Sequence, residues 1–149
     1  MATTKQDPTI SEPTEVERSW SRTRLFEASV RERLEAALQP HGLACSEYAA
    51  LAALHFSDDG GHLRQQVLAA AIPVQRSSLS RLVGRLQQQG LVERYHCVDD
   101  LRGVYTQITE AGRAKVREAR VSYLAALEEA LAGDATHALS TTAAAAVDD

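Results

Sequence analysis

The stretch PVQRSSLSRLVGRLQQQGLVERYHCVDDLRGVYTQIT, residues 73–109, changes its hydrophobic period partway along. In its first half the apolar residues Leu79, Leu82, Val83 and Leu86 recur in steps of three and four, one face of a helix. The opposite face holds Ser77, Ser80, Arg81, Gly84, Arg85 and Gln88, with Arg76 and Ser78 flanking its N-terminal end. Pro73 suits the first turn of such a helix, where its missing N–H is not needed. Gly90 is a good C-terminal stop because it accepts the left-handed conformation. The spacing therefore predicts a helix over 73–89. Beyond Gly90 the segments shorten to strand length, over Leu91–Cys97 and Val104–Ile108. They are joined by a tip, Val98–Gly103, where Asp and Gly supply turn chemistry. Asp100 and Arg102 stand two apart in this tip, so extended backbone puts both side chains on one side. A carboxylate in that place can fix the direction of a guanidinium.

Upstream, Gln65–Ala71 reads as a short helix that ends before Pro73, because the residue preceding a proline is biased out of the helical region. His62-Leu63-Arg64 is one very short strand, and SDDGG (57–61) a turn before it. A helix capped by Ser46 runs to about Phe56. Before that, Val16, Trp20, Thr23, Phe26, Val30, Leu34 and Leu38 form one stripe of a long helix over Glu15–Gln39, which Pro40-His41-Gly42 stops. Downstream, Thr109 caps a long helix to about Leu131, whose stripe is Val116, Tyr123, Leu124, Leu127 and Leu131. Gly133-Asp134 breaks it, and THALSTTAAAAVDD (136–149) is a weak final helix or frayed chain. In chain order this gives α1-α2-β1-α3-α4-β2-β3-α5-α6, a mainly α chain with a small β-hairpin wing. Residues 1–13 are polar with Pro8 and Pro13 and read as a flexible tail, leaving 14–149 as a single unit.

Composition bounds the function. A chain of 149 residues, 44% hydrophobic and 24% charged, is one ordinary globular domain. The longest strictly apolar run, Tyr48–Leu54, is too short to span a bilayer, and the polar start MATTKQDPTISEPTE carries no signal-peptide pattern. The expectation is a cytoplasmic protein with no membrane partner. Cys45 and Cys97 are too few for a disulfide scaffold. The sequence contains no GxSxG, HExxH, P-loop or GxGxxG motif, so no enzyme is expected. His41 and Cys45 are four apart but lie in a turn, without a second cluster at ligand spacing, so neither metal nor cofactor is expected.

The charge is uneven. The chain is at −4 overall, yet Leu63–Arg102 carries six Arg against Glu93, Asp99 and Asp100, a local +3 that leaves −7 for the rest. A basic face on an acidic body attracts phosphates locally and keeps non-specific binding weak. A helix sized for the major groove, with a hairpin beside it, makes up a winged helix-turn-helix. Arg reads guanine bidentately, and Ser and Gln bond bases or phosphates. An outward Arg at a narrow tip suits the minor groove, where negative potential is focused. Taken singly, the helix is also readable as a solvated surface face and the tip as a turn with a surface ion pair. A winged-helix module for protein contacts is a second reading of the whole.

The segments LRQQVLA (63–69), SSLSRLVGRLQQQGLVER (77–94) and DLRGVYTQIT (100–109), followed by Glu110-Ala111-Gly112, resemble the MarR family of bacterial transcriptional regulators. The resemblance covers about residues 15–131. It implies a homodimer on a palindromic operator, repression of transcription, a DNA-binding lobe at about 46–108, and dimerisation helices at about 14–39 and 109–149. It places Arg64, Gln75, Arg76, Ser77, Ser78, Ser80, Arg81 and Arg85 at double-stranded DNA, with Arg102, steered by Asp100, in the minor groove. It also implies a small aromatic effector. Trp20 fits an effector-pocket wall by analogy, against a core or interface aromatic. Some members of the family sense oxidants, and Cys45 beside a helix start is a candidate redox thiol against a small buried cysteine. Leu101 departs from the family's wing, where a second basic residue is common, and Gln65-Gln66 replaces its Ser/Thr cap.

Overall fold

A computed structural model of the chain describes residues 12–96, 98 and 103–145, with 134–145 described by backbone path alone. Cys97, the Asp100–Arg102 tip and all but the last two residues of the expected 1–13 tail lie outside the described residues. The elements are α1 (Glu15–Leu38), a 3₁₀ turn (Gln39–His41), α2 (Cys45–His55), β1 (His62–Arg64), α3 (Gln65–Ala71), α4 (Arg76–Gln88), β2 (Val92–His96), β3 (Val104–Ile108) and α5 (Glu110–Ala145).

Local chemistry accounts for the boundaries. Thr14 caps α1 reciprocally with Glu17: the Glu17 N–H donates to Thr14 Oγ1 at 3.2 Å and the Thr14 N–H to Glu17 Oε2 at 2.6 Å. α2 starts one residue before the expected Ser46 cap. The N-terminal boundary is Ala44, which has no capping side chain; its own N–H donates to Glu47 Oε2 at 3.1 Å, and the Cys45 N–H donates to Glu35 Oε1 at 3.0 Å. α4 begins three residues later than the proline position predicts. Ile72 and Gln75 are extended (ψ 146° and 151°), and the Val74 N–H turns back to Ile72 O at 2.8 Å, so Pro73 sits in the connection. Gly90 takes φ +73°, as a helix-ending glycine should.

The largest correction is at the C-terminus. Gly133-Asp134 does not break the chain, and α5 runs unbroken to Ala145, absorbing the expected α6. One helical glycine costs roughly 1 kcal/mol relative to Ala, and the Ala-rich segment beyond it favours continuation.

The sheet is antiparallel in the order β1-β3-β2. Leu63 pairs with Thr106 and Tyr95 with Tyr105, so the hairpin gains β1 as a third strand. Its inner face adds Val92, Thr106 and Ile108 to the core formed by Leu51, Leu54, Leu68, Leu79, Leu82, Val83, Leu86 and Val116. The opposite face carries Tyr95 stacked on Tyr105 at 5.7 Å. α1 packs along α5, and α5 in turn touches α2 and β3, so the two long helices form a platform behind the α2–β3 lobe. None of the described helices is long and apolar enough to cross a membrane.

Candidate nucleic-acid interface

The core stripe of α4 (Leu79, Leu82, Val83, Leu86) is buried, which turns Arg76, Ser77, Ser78, Ser80, Arg81 and Arg85 outward. All six were expected at the surface of this helix. Gln75, also exposed, is its N-cap residue and makes no side-chain cap. The first amide groups of α4 are therefore left without a capping side chain, and such a helix start favours anions. Arg76 shares a cleft of about 290 Å³ with Arg64, Gln65, Gln66 and the wing base Gly103-Val104. Arg64 ends β1 and holds its guanidinium 5.8 Å from the centre of the Tyr105 ring. The fold thus brings together Arg64 and Arg76, which are twelve positions apart in sequence. Asp100 and Arg102 lie outside the described residues.

The C-terminal half of α4 is engaged from inside the protein. Arg85 Nε donates to Glu47 Oε1 at 3.0 Å, across to α2. On the other flank, Arg94 of β2 donates from Nε to Gln87 Oε1 at 3.1 Å and from Nη1 to Ser80 Oγ at 3.4 Å. Gly84 makes room for Arg94: a Cβ there lies 3.3 Å from its guanidinium. Sequence reading missed Arg94 and Glu47 as parts of this surface. The strand alternation held a signal for Arg94, since it shares the inward parity of Val92, where an arginine needs a partner. No residue pattern pointed to Glu47.

A second cavity, of about 570 Å³, lies between α1, α2 and α5. Its lining includes Phe26, Val30, Cys45, Tyr48 and Tyr123, and also Pro73-Val74 at the entry to α4. Tyr48 and Tyr123 stack in its wall with centroids 4.3 Å apart. Trp20 is not part of that lining and is 61% exposed, so it is no core residue of the single chain. The Cys45 thiol is pushed up to about 11, chiefly by burial and then by the Glu35 carboxylate. A thiol so protonated at neutral pH is a poor nucleophile, which speaks against the oxidant-sensing alternative at this position. Among the described residues no group of three or more His, Cys, Asp and Glu could hold a metal ion.

A short helix, a second helix presenting its outer face, and a three-stranded sheet extended into a hairpin define a winged helix-turn-helix protein. Residues 41–103 match the MarR family, to which this segment is similar. AbsC, a MarR family transcriptional regulator from Streptomyces coelicolor, superposes with TM-score 0.74 at 28% identity, covering 93% of this chain and 99% of its own. Sco3205, a MarR family regulator from the same organism solved in complex with DNA, has TM-score 0.75 at 24% identity, covering 92% and 89%. The HTH-type transcriptional regulator YhbI of Bacillus subtilis is 30% identical over 90 residues, 60% of this chain. That match spans 56% of YhbI, little more than half its length.

Proposed function

We propose that this protein is a transcriptional regulator that binds a palindromic operator as a homodimer and represses until a small aromatic effector enters the inter-helix cavity. The observation that carries the reading is the uncapped start of α4, with Gln75, Arg76, Ser77, Ser78 and Arg81 exposed beside a cleft holding Arg64 and Arg76. In helix-turn-helix proteins the N-terminal residues of the recognition helix meet base edges. On this reading Arg76 and Arg81 reach bases or nearby phosphates, Arg64 supplies a phosphate contact, and Arg102, aimed by Asp100, enters the adjacent minor groove. Sco3205, which shares this fold, was solved in complex with DNA, and that supports a DNA-binding role. The aromatic wall of the 570 Å³ cavity and its contact with Pro73-Val74 support an effector that acts on the entry to α4.

Selection of bound fragments from the source genome tests the reading. A discrete palindromic site is expected. Each of Arg76→Ala and Arg81→Ala is expected to cost about tenfold or more in affinity for it, in line with loss of a base contact. Affinity should fall steeply with salt, as several phosphate contacts require. A protein that selects no fragment at moderate salt, or whose Arg81→Ala and Arg102→Ala double variant binds undiminished, is not this kind of regulator.

A further inference from the structure

Glu47 is a carboxylate with 7% of its surface exposed, on the first turn of α2, and both of its oxygens are committed. Oε2 accepts the Ala44 N–H at 3.1 Å and fixes the start of its own helix. Oε1 accepts Arg85 Nε at 3.0 Å and fixes the far half of α4. A buried charge held by two hydrogen bonds in a low-dielectric setting has little freedom to move independently of its partners. Its sequence neighbours Cys45, Ser46, Tyr48 and Ala49 all line the inter-helix cavity. One turn of helix therefore faces the cavity with four residues and holds α4 with the fifth.

We infer that Glu47 is a positioning residue: it sets the tilt of α4 through Arg85, and Arg85 works through this ion pair rather than on DNA. The inference rests on the DNA-binding reading above and reassigns Arg85, which the family resemblance places at DNA. It divides α4 by task. The half from Gln75 to Arg81 addresses the duplex. The half from Gly84 to Gln88 is clamped by Glu47 from α2 and by Arg94 from β2, whose second contact reaches back to Ser80 Oγ at 3.4 Å. It also gives the cavity two connections to α4: Pro73-Val74 at its entry and Glu47 behind its middle.

The test uses the full chain and the operator obtained by fragment selection, so failure of the DNA-binding reading shows in that selection and not here. Glu47→Gln, Arg85→Gln and the double variant are titrated with operator over a salt series, and the active fraction and melting temperature are measured for each. Each single variant is expected to lose about tenfold in affinity, and the double no more than either, as for two residues of one interaction. The slope of log affinity against log salt and the base preferences should stay those of the unaltered protein. Were Arg85 a phosphate contact, Arg85→Gln would lower that slope by about one and Glu47→Gln would leave affinity intact; that result overturns the inference. A purely structural role, with a lower melting temperature and active fraction but full affinity in the folded fraction, overturns it equally. Should Glu47→Gln fail to fold, Arg85→Lys decides, because it keeps the charge and removes the Nε–H that Glu47 holds. A loss of affinity at unchanged salt slope supports the inference, and full affinity refutes it.

Discussion

Gly112 shows how one atom can set the seat of a helix. It lies on the first turn of α5, where its N–H donates to the capping Thr109 Oγ1 at 3.0 Å. The same hydroxyl donates to Gly90 O at 2.7 Å and ties α5 to the end of α4. A Cβ on Gly112 meets the Leu91 carbonyl oxygen and the Ile108 side chain. Backbone cannot step aside as a flexible side chain can. Alanine gains roughly 1 kcal/mol of helix propensity, against about 1–3 kcal/mol for the forced shift. Gly112→Ala is therefore expected to lower the urea midpoint, and an unchanged or higher midpoint would show that the α5 seat relaxes freely. His55 carries a second residue-scale expectation. Its pKa is lowered from 6.5 by burial first, then by Arg113, Arg117 and Arg120, with Glu110 partly opposing. The unfolded chain then takes up a proton near the ordinary value, while the folded chain resists it until lower pH. In that window the unfolded state binds more protons, so stability falls as pH drops below about 6.5. His55→Gln should flatten that part of the curve, read as urea midpoints between pH 7.5 and 5.5. Parallel losses in the two proteins would assign the effect to other groups. The sequence gives Gly112 only as part of a motif, and nothing in it brings three α5 arginines around the end of α2.

At the scale of elements, periodicity served where one face is buried and failed where ends are set by small geometric choices. The α4 stripe and the β3 bounds could be read directly, because burial of Leu79, Leu82, Val83 and Leu86 leaves one arrangement for that segment. The α4 start could not, since a proline is equally at home in a first turn and in the connection before it. Within the candidate interface, the outward residues from Gln75 to Arg81 were legible, being the complement of the apolar stripe. The partners of Ser80, Gln87 and Arg85 were not, because Arg94 and Glu47 come from other elements. Gly133 was misread for a related reason: as a breaker it competes with the propensity of everything around it. A Cβ at Gly133 meets nothing within 4 Å. Gly133→Ala should therefore stabilise α5 by about 0.5–1 kcal/mol, seen as a higher melting temperature and equal or greater far-ultraviolet helicity. A destabilised variant would mean that this position is not helical in solution.

The whole molecule carries apolar surface on its terminal helices that the single chain does not cover. The α1 stripe is buried only toward its C-terminal end, at Leu34 and Leu38, while Val16 is 78% and Trp20 61% exposed. Leu131 on α5 is half exposed as well. A stripe that continues in register past the end of its own core needs a second surface, and large apolar patches on soluble chains mark such contacts. The proposed two-fold dimer would cover the same patch on both copies with one interface and set two α4 helices against successive turns of a duplex. On that proposed dimer Trp20 would lie in the seam, while the lining of the inter-helix cavity begins at Thr23 on this helix. Trp20→Glu should replace an apolar side chain of that seam with a carboxylate whose desolvation opposes association. Sedimentation at micromolar concentration is expected to give the mass of one chain, with the circular dichroism of the folded protein retained. Operator affinity should fall by well over tenfold, since each lobe then holds only a half-site, while binding to an isolated half-site stays as weak as before. A Trp20→Glu protein that still sediments as a dimer and binds the full operator normally would put the seam elsewhere on the chain.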